Sequence, residues 1–294
     1  DEIKFEAIDG DQNLIKITDA NAKVRKTKDE FHLEWLGKSH DTTIIVEVPL
    51  STICRDVEIS AKVHIAGQIK IDNIPSAKMI NASTTEGRVK LSSIRAEKVE
   101  AIAHNITANA VYALKIDFKS PRPDAGTILI ESCQADNLKA EARSVKVHSC
   151  YANSVDIRTT HESLLKNLHA KANIVAAGEV LNTVGFSGTI NAKVQCENTM
   201  LHFAELSGHS NIEIDHPNGK VRAGFANEIV KESTNLHISS KCPINTQSKE
   251  FVVCHKSNNE YDVIRRNPEA ESSLNMKIKR AKEVQLVKQS WIDS

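Results

Sequence analysis

A pattern of about nineteen residues recurs along the middle of the chain and limits the folds open to it more than any other feature. Gly67-Gln-Ile-Lys-Ile-Asp-Asn-Ile aligns without a gap on Gly87-Arg-Val-Lys-Leu-Ser-Ser-Ile and on Gly126-Thr-Ile-Leu-Ile-Glu-Ser-Cys. Two residues past each glycine stand Ile69, Val89 and Ile128, and four past it Ile71, Leu91 and Ile130. Seven past it come Ile74, Ile94 and Cys133. Farther along, Ser76, Ala96 and Ala135 share a place, and Met79, Val99 and Leu138 share another. A segment from Arg143 keeps the register with Val145, Val147, Cys150, Ala152, Val155 and Ile157. Gly67 to Gly87 spans one turn of this length, Gly87 to Gly126 two, and Gly67 to Gly219 eight. The register is clear to about residue 160 and loose over 178–215.

Within each unit apolar and polar residues alternate (Ile69-Lys-Ile, Val89-Lys-Leu, Val145-Lys-Val), which is the period of a strand with one buried face. Helical spacing is not sustained, and Ile and Val are poor helix formers. One such unit cannot bury its own apolar stripe, whereas stacked units can. The pattern therefore predicts an all-β chain: a single elongated β-solenoid of about eight coils, built from strands of about four residues. Ile69, Ile71, Ile74, Val89, Leu91, Ile94, Ile128, Ile130 and Cys133 are expected inside it, with Ala96, Ala135 and Ala152 at a crowded corner.

Three segments follow: an N-terminal β cap over 1–50, the solenoid over 51–241 and a C-terminal β cap over 242–294. Solenoid ends expose strand edges that must be covered. In the first cap, Asn13-Leu-Ile-Lys-Ile-Thr, Phe31-His-Leu-Glu-Trp-Leu and Thr43-Ile-Ile-Val-Glu-Val read as strands of an antiparallel sheet. In the last, Leu274-Asn-Met-Lys-Ile and Val284-Gln-Leu-Val read as strands. Pro121-Arg122-Pro123-Asp124 marks a loop projecting from one coil.

The order Val46-Glu-Val-Pro-Leu, Asp56-Val-Glu-Ile-Ser, then the Gly67 and Gly87 segments, resembles the adhesin-like β-solenoid family, over roughly residues 43–240. That family is widespread in bacteria and has animal members that look like mitochondrial proteins. The resemblance implies the fold and, through those members, a mitochondrial location; an extracellular adhesin is the other setting it allows. It carries no binding residues across, because the shared motif is structural.

Several features bear on chemistry. Polysaccharide-active β-helices line a groove with carboxylates from neighbouring coils, but the equivalent residues here are Asp72, Ser92 and Glu131, and Asp136 and Asp156 are out of step. His161, His169, His202, His209 and His216 fall on different turns, with no metal-ligand spacing. Gly185-Phe-Ser-Gly188 has no Lys-Ser/Thr partner for a phosphate, and Lys277-Ile-Lys-Arg-Ala-Lys282 reads as a basic stripe on a solvated strand edge. The cysteines at 54, 133, 150, 196, 242 and 254 show no C-x-x-C pair; Cys133 and Cys150 are expected buried, adjacent and reduced, with a stacked disulfide as the sharper alternative. Lys+Arg and Asp+Glu are equal at 38 each, and aromatics are 4%. A chain gripping nucleic acid carries a basic excess, and one stacking sugars or bases carries more aromatics. No catalytic residue, cofactor or metal site is expected. The expectation is a non-enzymatic scaffold with a protein partner, no nucleic acid and no membrane span; an adhesin is second and a polysaccharide-active enzyme third.

Overall fold

The computed structural model describes residues 2–8, 16–17, 22–26, 31–35, 43–49, 58–63, 67–226, 234–246, 248–256 and 259–288, with residues 2–49 and Val63 described by backbone alone. The described residues are all-β and contain no helix. The chain divides into two compact units, Asp1–Lys139 and Ala140–Ser294.

The first unit holds β1 (Glu2–Ile8), β2 (Lys16–Ile17), β3 (Ala22–Lys26), β4 (Phe31–Trp35), β5 (Thr43–Pro49), β6 (Glu58–Val63), β7 (Gln68–Thr84), β8 (Arg88–Ile102), β9 (Asn105–Lys119) and β10 (Thr127–Glu131). β7, β8, β9 and β10 pair in parallel: Gln68 faces Arg88, which faces Asn105, which faces Thr127. The repeat seen in the sequence is thus a register of hydrogen-bonded neighbours. Ile69, Val89, Ile106 and Ile128 form one buried row, and Ile71, Leu91, Ala108 and Ile130 the next. Burying each Ile or Leu stabilises the fold by about 1.5–3 kcal/mol. Ile74, Ile94 and Cys133 are buried as expected.

Two details differ from the sequence reading. The interval from Gly87 to Gly126 contains a full strand, β9, with His104 in the glycine's place. Gly126 then sits over His104 at φ +76°, where a Cβ would lie 2.1 Å from the His104 carbonyl oxygen. The step from Asn105 to Thr127 is wider than its neighbours and accommodates the predicted loop at Pro121–Asp124. The register also shifts by one between Ile74 and Ala77. Ala77, not Ser76, faces Ala96, and Ile80, not Met79, joins Val99 in the core. Pro75 lies in this bulge, where its missing N–H breaks no ladder. The strands are also longer than expected, because each runs on through a bend at a residue of positive φ: Asn73, Ser93 and Ala110.

β1 pairs in parallel with β5 on one side and with β7 on the other. The first described strand is therefore inserted between later ones, where an antiparallel sheet was expected. Antiparallel pairing in this unit's described strands is confined to β2 with β5 and to the β3–β4 hairpin.

The second unit takes most of β11 (Gln134–Leu206), with β12 (His209–Asp215), β13 (Lys220–Phe225), β14 (Thr234–Ser240), β15 (Ile244–Thr246), β16 (Val253–Lys256), β17 (Glu260–Arg265), β18 (Ser272–Arg280) and β19 (Glu283–Lys288). β11 meets itself at intervals near the repeat length. Tyr151 stacks on His169 with ring centroids 5.1 Å apart, and the carbonyl oxygen of Ala170 lies under Gly188. Asn191 then faces Asn211, and Asn198 faces Lys220. Phe186, Phe203, Phe225 and Phe251 stack through the core at centroid distances of 6.5, 5.5 and 5.5 Å. Among the residues with described side chains, every phenylalanine is thus buried.

At the end of this unit the order in space departs from the order in sequence. β18 pairs in parallel with both β12 and β14, and β19 with both β13 and β15. Ile212, Met276 and Ile238 form one buried row, and Val221, Val284 and Ile244 another. β17 then pairs antiparallel with β14, and β16 with β17.

Candidate functional surface

Outward side chains form rows as regular as the buried ones. In the first unit Asp72, Ser92, Asn109 and Glu131 are successive neighbours, so no carboxylate ladder forms there. The Ser92 hydroxyl donates to Asp72 Oδ1 at 2.6 Å, and Lys70 lies 3.5 Å from the same carboxylate. Lys98–Glu100 at 2.7 Å and Lys78–Glu58 at 3.1 Å continue a surface of locally paired charges. Such exposed pairs contribute little stability, but they fix side-chain positions and leave a face of low net charge. Against it stand three exposed apolar residues of the same unit, Ile102, Tyr112 and Leu114. Tyr112 lies beside Arg95 of the neighbouring strand.

The histidines do not converge. His161 faces Glu179 at 3.6 Å, His169 stacks on Tyr151, and His209 Nδ1 is 2.9 Å from the Ser273 hydroxyl. His216 takes part in a turn through its backbone, accepting from Gly219 N–H at 2.9 Å. His202 is buried, its Nδ1 accepting from Gly185 N–H at 3.4 Å, and desolvation lowers its pKa. Among the described residues no group of three His, Cys, Asp or Glu is placed to hold a metal ion. Asp156 faces Arg158 at 3.6 Å, and Asp136 is exposed.

Gly185-Phe-Ser-Gly188 is a structural bend. Phe186 belongs to the aromatic stack, and Gly188, at φ +125°, would place a Cβ 2.1 Å from the Ala170 carbonyl oxygen. The Lys277–Lys282 stripe requires a correction. Its Lys277–Arg280 part lies on an inner strand, β18, flanked on both sides, and not on a solvated edge; Lys282 follows the end of that strand. β12 supplies its counter-charges: Lys279 reaches Glu213 and Arg280 reaches Asp215, both at 2.5 Å. Hydrogen bonds from those cations lower the carboxylate pKa values. The sequence signal was there, in Glu213-Ile-Asp215, but several strands lie between it and the stripe it pairs with.

No family model matches the chain, and it has no match among curated proteins or solved structures. What the surface can do rests on its own chemistry. Cys133, Cys150 and Cys196 are buried free thiols, whereas Cys254 is exposed and Cys242 is half-buried; Cys54 lies outside the described residues. Burial pushes the Cys133 thiol up to about 11 and that of Cys196 to about 12, which keeps both protonated and unreactive. Among the described residues no helix is long and apolar enough to cross a membrane.

Proposed function

We propose that the chain is a β-solenoid protein that works as a non-catalytic scaffold, holding a protein partner along its outward rows. The observation carrying this reading is the in-register parallel stacking of β7 to β10, which repeats each outward position once per coil, about 4.8 Å apart. Such a face suits an extended partner. Charges already paired on the surface, equal numbers of acidic and basic residues, and the exposed Tyr112 and Leu114 favour a protein over a polyanion. Buried thiols without bridges suit a reducing compartment, in keeping with the mitochondrial location the family resemblance implies.

The test is affinity capture from the native source, with cross-linking and mass spectrometry to locate contacts. The scaffold reading expects a co-purifying protein cross-linked to the first unit, with recovery lowered about tenfold by Tyr112→Ala with Leu114→Ala. Recovery of the protein alone, together with turnover of a polysaccharide in a substrate screen, overturns it.

A further inference from the structure

The step from β9 to β10 is longer than the stacking of the strands requires. β7 passes to β8 through Thr85, Glu86 and Gly87, and β8 to β9 through Ala103 and His104 alone, whereas β9 reaches β10 only after residues 120–126. The register on either side is kept, with Ile106 beside Ile128. Both legs of the excursion are tied to the short step of the neighbouring coil. Ala103 N–H donates to the Lys119 carbonyl at 3.2 Å, and Thr127 N–H donates to the His104 carbonyl at 3.0 Å. A loop that adds nothing to strand pairing, set on a rigid scaffold, is a favoured place for binding residues.

Pro121, Arg122, Pro123 and Asp124 are exposed, while Ser120 before them is buried. Ala125 N–H donates to the Arg122 carbonyl at 3.0 Å, closing a β-turn with Pro123 and Asp124 at its two central places. Each proline fixes its own φ, and Pro123 also disfavours helical backbone at Arg122. The tip is therefore ordered before any partner arrives, and docking it costs little conformational entropy. At the foot of the loop, the exposed Ile102 is the direct neighbour of Lys119. The surface thus offers one guanidinium between two proline rings, with an apolar residue nearby. Arginine is favoured at interface centres because its fork pairs with carboxylates while its stem packs against apolar groups. Asp124, in the same turn, opposes a polyanion and suits a protein surface of mixed charge.

We propose that this loop anchors the protein partner, with Arg122 entering a partner cleft that holds a carboxylate, and with Pro121, Pro123 and Ile102 meeting its apolar rim. This contact rests on the scaffold reading and adds to it the chemistry of the partner's side.

The probe is the protein that the full wild-type chain captures, purified and titrated against variants by calorimetry. Arg122→Glu is expected to weaken binding by about thirtyfold or more, with an unchanged melting temperature showing that the variant is folded. A photo-cross-linking residue at position 122 locates the facing segment of the partner, which should contain Asp or Glu. Changing that carboxylate to Lys should weaken binding to the wild type and restore binding to Arg122→Glu. Equal binding by the folded Arg122→Glu variant, a cross-linked segment without Asp or Glu, or no restoration by the reversed partner overturns the loop contact and leaves the scaffold reading standing. Absence of any captured protein, or capture lost on nuclease treatment, overturns both.

Discussion

Ala110 holds φ at +52°, a conformation that places an L-residue's Cβ against its own carbonyl and costs about 1–2 kcal/mol. Asn73, Ser93 and Ser132 take the same conformation in other repeats of the first unit, as do Ser149, Asn167 and Gly185 in the second. Each is followed by a buried residue, among them Ile74, Ile94, Val111 and Cys133. The bend is therefore what returns the next side chain to the core. Ala110→Gly should remove the strain; after allowing for glycine's greater freedom in the unfolded chain, a gain of about 0.5–1 kcal/mol is expected as a higher urea midpoint. Asn and Ser at this place are visible in the sequence as ordinary bend residues, but an alanine gives no sign of positive φ. His202 makes a second residue-scale prediction. Its folded pKa lies below the ordinary 6.5 because burial disfavours the cation. The unfolded chain thus binds more protons, so the neutral histidine's contribution is complete above pH 6.5 and is lost as pH falls from there through the folded pKa. His202→Gln should flatten the fall of the urea midpoint between pH 7 and 5; an unchanged slope would show that His202 does not titrate on unfolding.

Near both ends of the chain, strands are inserted between others: β1 between β5 and β7, and β18 with β19 between β12–β13 and β14–β15. Alternation along Leu274-Asn-Met-Lys-Ile marked β18 as a strand, yet nothing local told where it pairs. Met276 finds its partner in Ile212, on a strand five elements earlier than any neighbour in sequence would suggest, and periodicity carries no information about such distant pairings. The same limit hid the match between the basic stripe and Glu213 and Asp215. Ending the chain before Ser272 would remove the buried Leu274, Met276 and Ile278 from between two strands. At about 1.5–3 kcal/mol each, their loss should abolish hydrogen-exchange protection over 234–246. Met276→Ala alone should cost about 2–5 kcal/mol. Retained protection in the truncated chain would mean that β14 finds its stability elsewhere.

Over the whole molecule, the repeat was legible because the same side-chain environment recurs once per repeat and selects the same residue types each time. Ile69, Val89, Ile128 and their neighbours were readable as core for that reason, and all are buried. What blurred the period was physical as well: a strand without its glycine at β9, an extra residue beside Pro75, and an inserted loop at Pro121–Asp124. The central claim is that successive repeats stack as parallel strands in register, and a designed disulfide tests it most directly. Lys90 and Thr107 are direct neighbours on β8 and β9, about 4.8 Å apart at Cα, within reach of a disulfide. Lys90 and Asn105 are two places out of register, beyond the limit of about 7 Å. With Cys254 replaced by serine, Lys90→Cys with Thr107→Cys should oxidise to an intramolecular bridge seen by mass spectrometry, and Lys90→Cys with Asn105→Cys should not. No bridge in the first pair, or equal bridging in both, would contradict the stacked register on which the account rests.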